Sequence, residues 1–156
     1  MGKHFVLWKT LSYAWTEIGL NEAECSEIVR ELENEYQSWS EIKDVIYKDV
    51  LGGFSLLSLS LCFVWIPFVG WFFANNLLLD WGFDDEWIQK KIQHWYAVPR
   101  WRHYLNPLRW FGYVLALIFA SHLIFKIKNF YLSEKSTREI ILMQRNERWR
   151  QKTVIK

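Results

Sequence analysis

The chain has 156 residues, among them 11 Trp, 11 Phe and 7 Tyr, and a formal net charge of +2. That charge balance gives no general attraction for nucleic acid, and two cysteines exclude a disulfide scaffold and a four-cysteine zinc site. The length allows a single domain. Two long apolar stretches, separated by polar segments, indicate an all-α integral membrane protein.

Residues 1–49 are predicted to form an amphipathic, acidic helical hairpin. The first helix covers residues 3–18 and ends at Gly19, with an apolar face formed by Phe5, Trp8, Leu11, Trp15 and Ile18. Asn21 followed by Glu24 matches a capping box that opens the second helix. That helix has apolar residues at steps of three and four, namely Cys25, Ile28, Val29, Leu32, Tyr36, Trp39, Ile42 and Ile46. Its apolar face would pack on the first helix, on a partner or on the membrane.

Residues 50–79 form the first predicted membrane segment. Positions 51–79 contain no charged residue in 29 positions, which is about 10 more than the roughly 20 helical residues that span a bilayer. Pro67, near the middle, breaks or kinks the helix because it removes a backbone hydrogen bond. The segment is therefore either one tilted, kinked span or a re-entrant pair of half-helices that leaves on the side where it entered.

Residues 80–107 are predicted to form an interfacial aromatic segment. Asp84 would cap a helix that stops before Pro99, with apolar residues at helical spacing (Trp87, Ile88, Ile92 and Trp95). The surrounding Trp and Tyr residues are typical of the aromatic belt of a membrane protein. A nucleic-acid stacking surface is the alternative, and the two flanking apolar segments disfavour it.

Residues 108–125 form the second predicted membrane helix. Asn106 would cap it, Pro107 suits its first position, and Lys126 and Lys128 would end it. Its length of about 27 Å is enough for one crossing, and Arg109 could extend its charged group outward to the interface.

Residues 126–156 form a basic tail with nine Lys or Arg against three Glu. Ser136 and Glu139 match a second capping box, so a separate basic helix is expected there. This helix would either contact anionic lipid headgroups or lie in solvent.

The distribution of Lys and Arg predicts the orientation. If both apolar segments cross, the two ends share a side and have 14 Lys or Arg against 5 in the middle, which favours cytosolic ends. If the first segment is re-entrant, the count is 10 against 9 and gives no preference. The charge count thus favours a plain two-span hairpin.

The sequence contains no pattern that predicts catalysis, a cofactor site or a metal site. No two histidines have the i, i+4 spacing of a helical zinc site. His122, near the membrane edge, is either an ordinary interfacial histidine or a functional ionisable group. Ser55, Ser58 and Cys62 share a helical face, which indicates close helix packing or, in an oligomer, a polar pore lining.

A set of aromatic and glycine motifs in the first membrane segment resembles a known family. Leu51, Gly52, Gly53 and Phe54 follow an amphipathic lead-in, Trp65 comes next, and Trp71, Phe72 and Phe73 form a triplet at the family's spacing. This region resembles the presenilin enhancer subunit of γ-secretase. The chain departs from the family at Cys62, where the family has Pro.

The resemblance implies a non-catalytic subunit with a re-entrant first segment and one full span, located in the endomembrane system. It implies that the same eight residues contact a presenilin-like protease, and that the N-terminus faces the cytosol and the C-terminus the lumen. This topology differs from the one that the charge count favours.

We therefore expect a structural subunit of a larger membrane complex, with other integral membrane proteins and lipids as partners. The alternatives are a self-oligomerising channel or membrane-disrupting effector, and an adaptor that recruits a cytosolic protein through residues 1–40.

Overall fold

The computed structural model describes residues 4–16, 19–62 and 83–154, and all regular elements in these ranges are helical, as predicted. They are α1 (Phe5–Ser12) with a 3₁₀ turn (Tyr13–Trp15), α2 (Glu22–Glu35), α3 (Trp39–Val45), a π-helical segment (Ile46–Val50), α4 (Leu51–Cys62), α5 (Asp85–Ala97), α6 (Arg100–Tyr104) and α7 (Pro107–Val154).

Two helices are long and apolar enough to cross a membrane. One is the continuous helix Trp39–Cys62, which joins α3, the π segment and α4, and the other is Pro107–Thr137 within α7. The first helix starts well before residue 50, where the membrane segment was predicted to begin. The predicted break near Pro67 lies outside the described residues.

The capping box at the start of α2 is confirmed. The Asn21 side chain accepts a hydrogen bond from the Glu24 backbone N–H at 2.9 Å, and the Glu24 carboxylate accepts one from the Asn21 N–H at 2.8 Å. Together these two bonds satisfy backbone donors that the first turn leaves unpaired.

The prediction of one helix from Asn21 through Ile46 is wrong. The backbone becomes extended at Tyr36, whose hydroxyl is 2.5 Å from His4 Nδ1, and Ser38 then caps α3 by accepting from the Glu41 N–H at 3.4 Å. The apolar periodicity survives this break, because residues on both sides are buried in the same core. The first helical stretch also ends earlier than predicted, at Trp15, and Ile18 lies outside the described residues.

The predicted helix between Asp84 and Pro99 is confirmed as α5, but Asp84, which occupies the N-cap position, makes no side-chain capping hydrogen bond. Its apolar face, with Ile88, Ile92 and Trp95, is buried against the rest of the chain. Protein therefore covers much of the surface that the sequence assigned to the membrane interface.

Helix α7 begins at Pro107 as predicted, and the Asn106 side chain accepts a hydrogen bond from the Leu108 N–H at 3.0 Å. Two predictions about its later part are wrong. The helix does not end at Lys126 and Lys128, and Ser136 caps no separate helix because it lies in the interior of α7.

The continuation of α7 has a tertiary cause. The Lys126 ammonium donates to the Leu20 carbonyl, and the next buried positions, Ile127 and Tyr131, pack against the core. Charged residues can mark a membrane boundary without ending a helix, since Lys is a good helix former.

The contact between α4 and α7 is close because small residues form it. Gly112, Ala116 and Ala120 are buried along one face of α7. A Cβ atom at Gly112 would overlap the Ser55 carbonyl, so these backbones approach in the manner of small-residue interfaces between membrane helices.

An aromatic cluster fills the space between α1, α4 and α5. Phe54, fully buried, stacks on Trp15 with 4.4 Å between ring centroids, and Trp8, Phe83 and Trp87 lie within 6.3 Å of it. The N-terminal helices are thus part of the same core as the apolar helices.

Candidate functional site around Asp49

A buried carboxylate lies within the first membrane-length helix. Asp49 belongs to the π-helical segment, and only 3% of it is exposed. Segments of this type are rare and occur frequently at functional sites. A carboxylate can be buried in this way only if hydrogen-bond donors or cations compensate for the lost solvation.

Three side chains from the C-terminal part of α5 and from α6 donate to Asp49. The indole N–H of Trp95 lies 3.2 Å from Oδ1, the Tyr96 hydroxyl lies 3.1 Å from Oδ2, and the Arg100 guanidinium lies 3.3 Å from both oxygens. Arg100 itself is 61% exposed, so this ion pair has one buried and one solvated partner. Asp49 thereby holds α5 and α6 against the π segment.

Trp95 packs against residues of both α6 and α4. His103 stacks on it with 3.8 Å between centroids and an angle of 11°, and its Nε2 donates to the Trp95 carbonyl at 3.0 Å. Because the acceptor is a carbonyl, Nε2 must carry the proton. In α4, Gly52 leaves room for the indole, since a Cβ atom at this position would lie only 2.6 Å from the Trp95 ring.

Arg109 was expected to extend outward to the interface, but its side chain contacts this site instead. Its guanidinium donates to the Gly52 carbonyl at 3.3 Å and lies 5.3 Å from the Trp95 ring centroid, within cation–π range. Nearby, the Tyr113 hydroxyl donates to the Tyr47 carbonyl of the π segment at 2.9 Å. Side chains of α7 thus hydrogen-bond backbone carbonyls of the helix that contains Asp49.

A cleft of about 250 Å³ adjoins Trp95 and Arg109. Its lining residues come from the π segment, α4, α5, α6 and α7, and they are Tyr47, Lys48, Gly52, Ser55, Trp95, His103, Tyr104, Arg109, Trp110 and Tyr113. Half of these ten residues are Trp or Tyr, and the charged ones, Lys48 and Arg109, are cationic.

Two tyrosines beside Asp49 are protonated over a wide pH range. Burial, and then the negative charge of Asp49, raise the pKa of Tyr96, and burial followed by Glu35 raises the pKa of Tyr36. Both hydroxyls therefore remain hydrogen-bond donors at neutral pH.

Lys91 lies in an aromatic environment on α5. Its ammonium is 4.4 Å from the Trp87 ring centroid and 5.0 Å from that of Phe54. Desolvation, followed by repulsion from Arg109, lowers the pKa of Lys91 to about 8. A substantial fraction of this amine is neutral at mildly alkaline pH.

Of the eight residues predicted to contact a partner, the structure describes four. Leu51, Gly52, Gly53 and Phe54 come together in the core of this chain, where the two glycines make room for the Trp95 and Trp8 rings. Trp65, Trp71, Phe72 and Phe73 lie outside the described residues. Contact of these eight residues with a presenilin-like protein stays a prediction.

The small-residue face of α4 is used inside the chain. Ser55 packs against Gly112, and the Ser58 hydroxyl accepts a hydrogen bond from the Trp15 indole at 2.8 Å, whereas Cys62 is exposed. Ser55 and Ser58 are fully buried, so this arrangement favours the packing interpretation over a pore lining.

Sequence reasoning missed the role of Asp49. The available signal was its position directly before a long stretch without charge, where a carboxylate must find partners. The partners themselves are 46 to 51 residues away and could not be paired with Asp49 from the sequence.

Within the described ranges, no group of three or more His, Cys, Asp or Glu side chains could hold a metal ion. No protein-family profile, curated protein or solved structure matches the chain.

Proposed function

We propose that the chain is a non-catalytic integral membrane subunit that packs against a larger membrane protein complex and stabilises it. The main support is the large apolar surface that the outer face of α7 exposes. Five residues of this face are each more than half exposed, namely Leu108, Phe111, Val114, Ile118 and Phe125. Monomeric soluble proteins rarely expose an apolar surface of this extent, so lipid or another helix would cover it.

The opposite face of α7 supports the same proposal. It is already occupied by α4 through Gly112, Ala116 and Ala120, which leaves the outer face available for intermolecular contact. A subunit of this kind would use its internal aromatic core for its own stability and the α7 face for its partner.

In its most specific form, the proposal makes the partner a presenilin-like protease of the endomembrane system. Its support is the motif similarity in residues 51–73. Since Leu51 and Phe54 are buried within this chain, we propose that they also shape its fold and that the exposed face of α7 adds to the contact with the partner.

Photo-crosslinking tests the subunit proposal. A photoreactive residue at Ile118, which is exposed near the middle of the outer face of α7, should crosslink the full-length protein to another integral membrane protein, from a fraction that resists carbonate extraction. The control is the exposed position Gln93 on α5, outside both apolar helices. Release of the protein by carbonate, or identical crosslinks from both positions, would contradict the proposal.

The sidedness of the ends tests the topology. Single cysteines in place of Glu22 and Met143, with Cys25 and Cys62 replaced, would be labelled in sealed vesicles. Labelling from opposite sides supports a re-entrant first segment and the presenilin-enhancer form. Labelling from the same side indicates a two-span hairpin and an unrelated two-pass subunit.

A further inference from the structure

The charged residues that line the cleft beside Trp95 are all cationic. Lys48 and Arg109 line it, and none of the residues that line it is acidic. The Lys48 ammonium also pairs with the exposed carboxylate of Asp44, which lies outside the lining, at 2.6 Å. Asp49 lies nearby, but its carboxylate is engaged by Arg100, Tyr96 and the indole N–H of Trp95. The charge of the cleft is therefore complementary to an anion.

The guanidinium of Arg109 is well placed to hold such an anion. A guanidinium has five N–H donors in a fixed plane, and in the described part of the chain one hydrogen bond, to the Gly52 carbonyl, involves this group. Its position over Trp95 limits its rotation. Arg and Lys bind phosphate oxygens through charge-assisted hydrogen bonds.

The cleft lies where the second apolar helix begins. Arg109 is the third residue of Pro107–Thr137, and Tyr104 and Trp110, which line the same cleft, are each more than half exposed. Exposed Trp and Tyr at the end of an apolar helix are typical of the headgroup level of a bilayer.

We propose that this cleft binds the headgroup of an anionic phospholipid, with the phosphate held by Arg109 and Lys48. The acyl chains lie along the outer face of α7 beside Leu108 and Phe111. This inference rests on the proposed membrane location. It adds a specific lipid site, which that location does not by itself require.

Lys91 offers a readout for this site. Desolvation first, and repulsion from Arg109 second, lower the pKa of Lys91, so the charges of Lys91 and Arg109 interact. A phosphate bound to Arg109 would reduce this repulsion and raise the pKa of Lys91.

Native mass spectrometry of the full chain in mild detergent tests the site. Phosphatidylglycerol and phosphatidylcholine with identical acyl chains are the two probes. We expect phosphatidylglycerol to bind about tenfold more tightly, Arg109→Gln to remove this preference, and Arg109→Lys to retain part of it. Arg102→Gln is the matched control, because Arg102 is exposed and lies over Trp101 outside the cleft.

Three results would overturn the proposal. They are equal binding of both lipids, an equal loss in Arg109→Gln and Arg102→Gln, and displacement by millimolar inorganic phosphate, which would identify a soluble anion as the ligand. If Arg109→Gln lowers the thermal midpoint, the lipid preference is measured instead for Lys48→Gln, with Lys90→Gln as its control. Both lysines are exposed, and each pairs with an acidic residue four positions before it. If the protein resists carbonate extraction but shows no preference for phosphatidylglycerol, the proposed lipid site is refuted and the proposed membrane location stands.

Discussion

Gly112 of α7 lies directly against the backbone of Ser55 in α4, with no space for a side chain between the two helices. Replacing Gly112 with Ala would normally favour the helix by about 1 kcal/mol. Here the added methyl group must push a backbone carbonyl away, so we expect Gly112→Ala to destabilise the protein by about 1–3 kcal/mol.

Thermal unfolding in detergent, followed by near-ultraviolet circular dichroism of the tryptophans, measures this effect. Val114→Ile adds the same methylene-sized volume to the exposed face of α7 and should leave the midpoint unchanged. Equal midpoints for both variants and the wild type would refute the close contact.

The carboxylate of Asp49 should be a major determinant of stability. Asp49→Ala removes the acceptor for Trp95, Tyr96 and Arg100, and we expect a loss of about 2 kcal/mol or more. Asp44→Ala is the control, because the Asp44–Lys48 pair is exposed and should contribute about 0.5 kcal/mol or less. Similar unfolding free energies for the two variants would contradict a structural role for Asp49.

Gly53 and Trp8 should be energetically coupled. A Cβ at Gly53 would overlap the buried Trp8 ring, so Gly53→Ala is expected to destabilise the wild-type background strongly. In a Trp8→Leu background the space is larger, and the same change should cost at least about 1 kcal/mol less. A double-mutant cycle by thermal unfolding measures the coupling, and strictly additive effects would argue against the contact.

The lowered pKa of Lys91 predicts how the free energy of unfolding depends on pH. Its pKa falls from 10.5 to about 8 on folding, so between these values the unfolded chain binds a proton that the folded chain does not. Stability from this group therefore rises as pH increases from about 8 toward 10.5. Lys91→Met should be more stable than wild type at pH 7, by on the order of 2 kcal/mol, with the difference shrinking by pH 10.

Unfolding at pH 7, 8, 9 and 10 tests this prediction. Comparing the variant with the wild type at each pH cancels other titrations, such as that of Cys25, whose pKa is raised by burial. A difference that is constant over the range would show that Lys91 does not titrate with the lowered pKa.

Local signals in the sequence determined several elements of this protein. The capping box at Asn21 and Glu24, the helix between Asp84 and Pro99, and the start of α7 at Pro107 all follow from interactions between residues four or fewer positions apart. The charge-free stretch at 108–125 likewise indicated the second membrane-length helix, because hydropathy is a property of composition. The first such helix, Trp39–Cys62, overlaps the predicted segment 50–79 only in part.

Only the tertiary structure decided the break at Tyr36, the passage of α7 beyond Lys126 and the partners of Asp49. Tyr36 meets His4, Lys126 meets the Leu20 carbonyl, and Asp49 meets Arg100, at separations of 32, 106 and 51 residues. Such contacts leave no periodic trace in the chain, since a buried polar group requires a partner without specifying where in the sequence it lies.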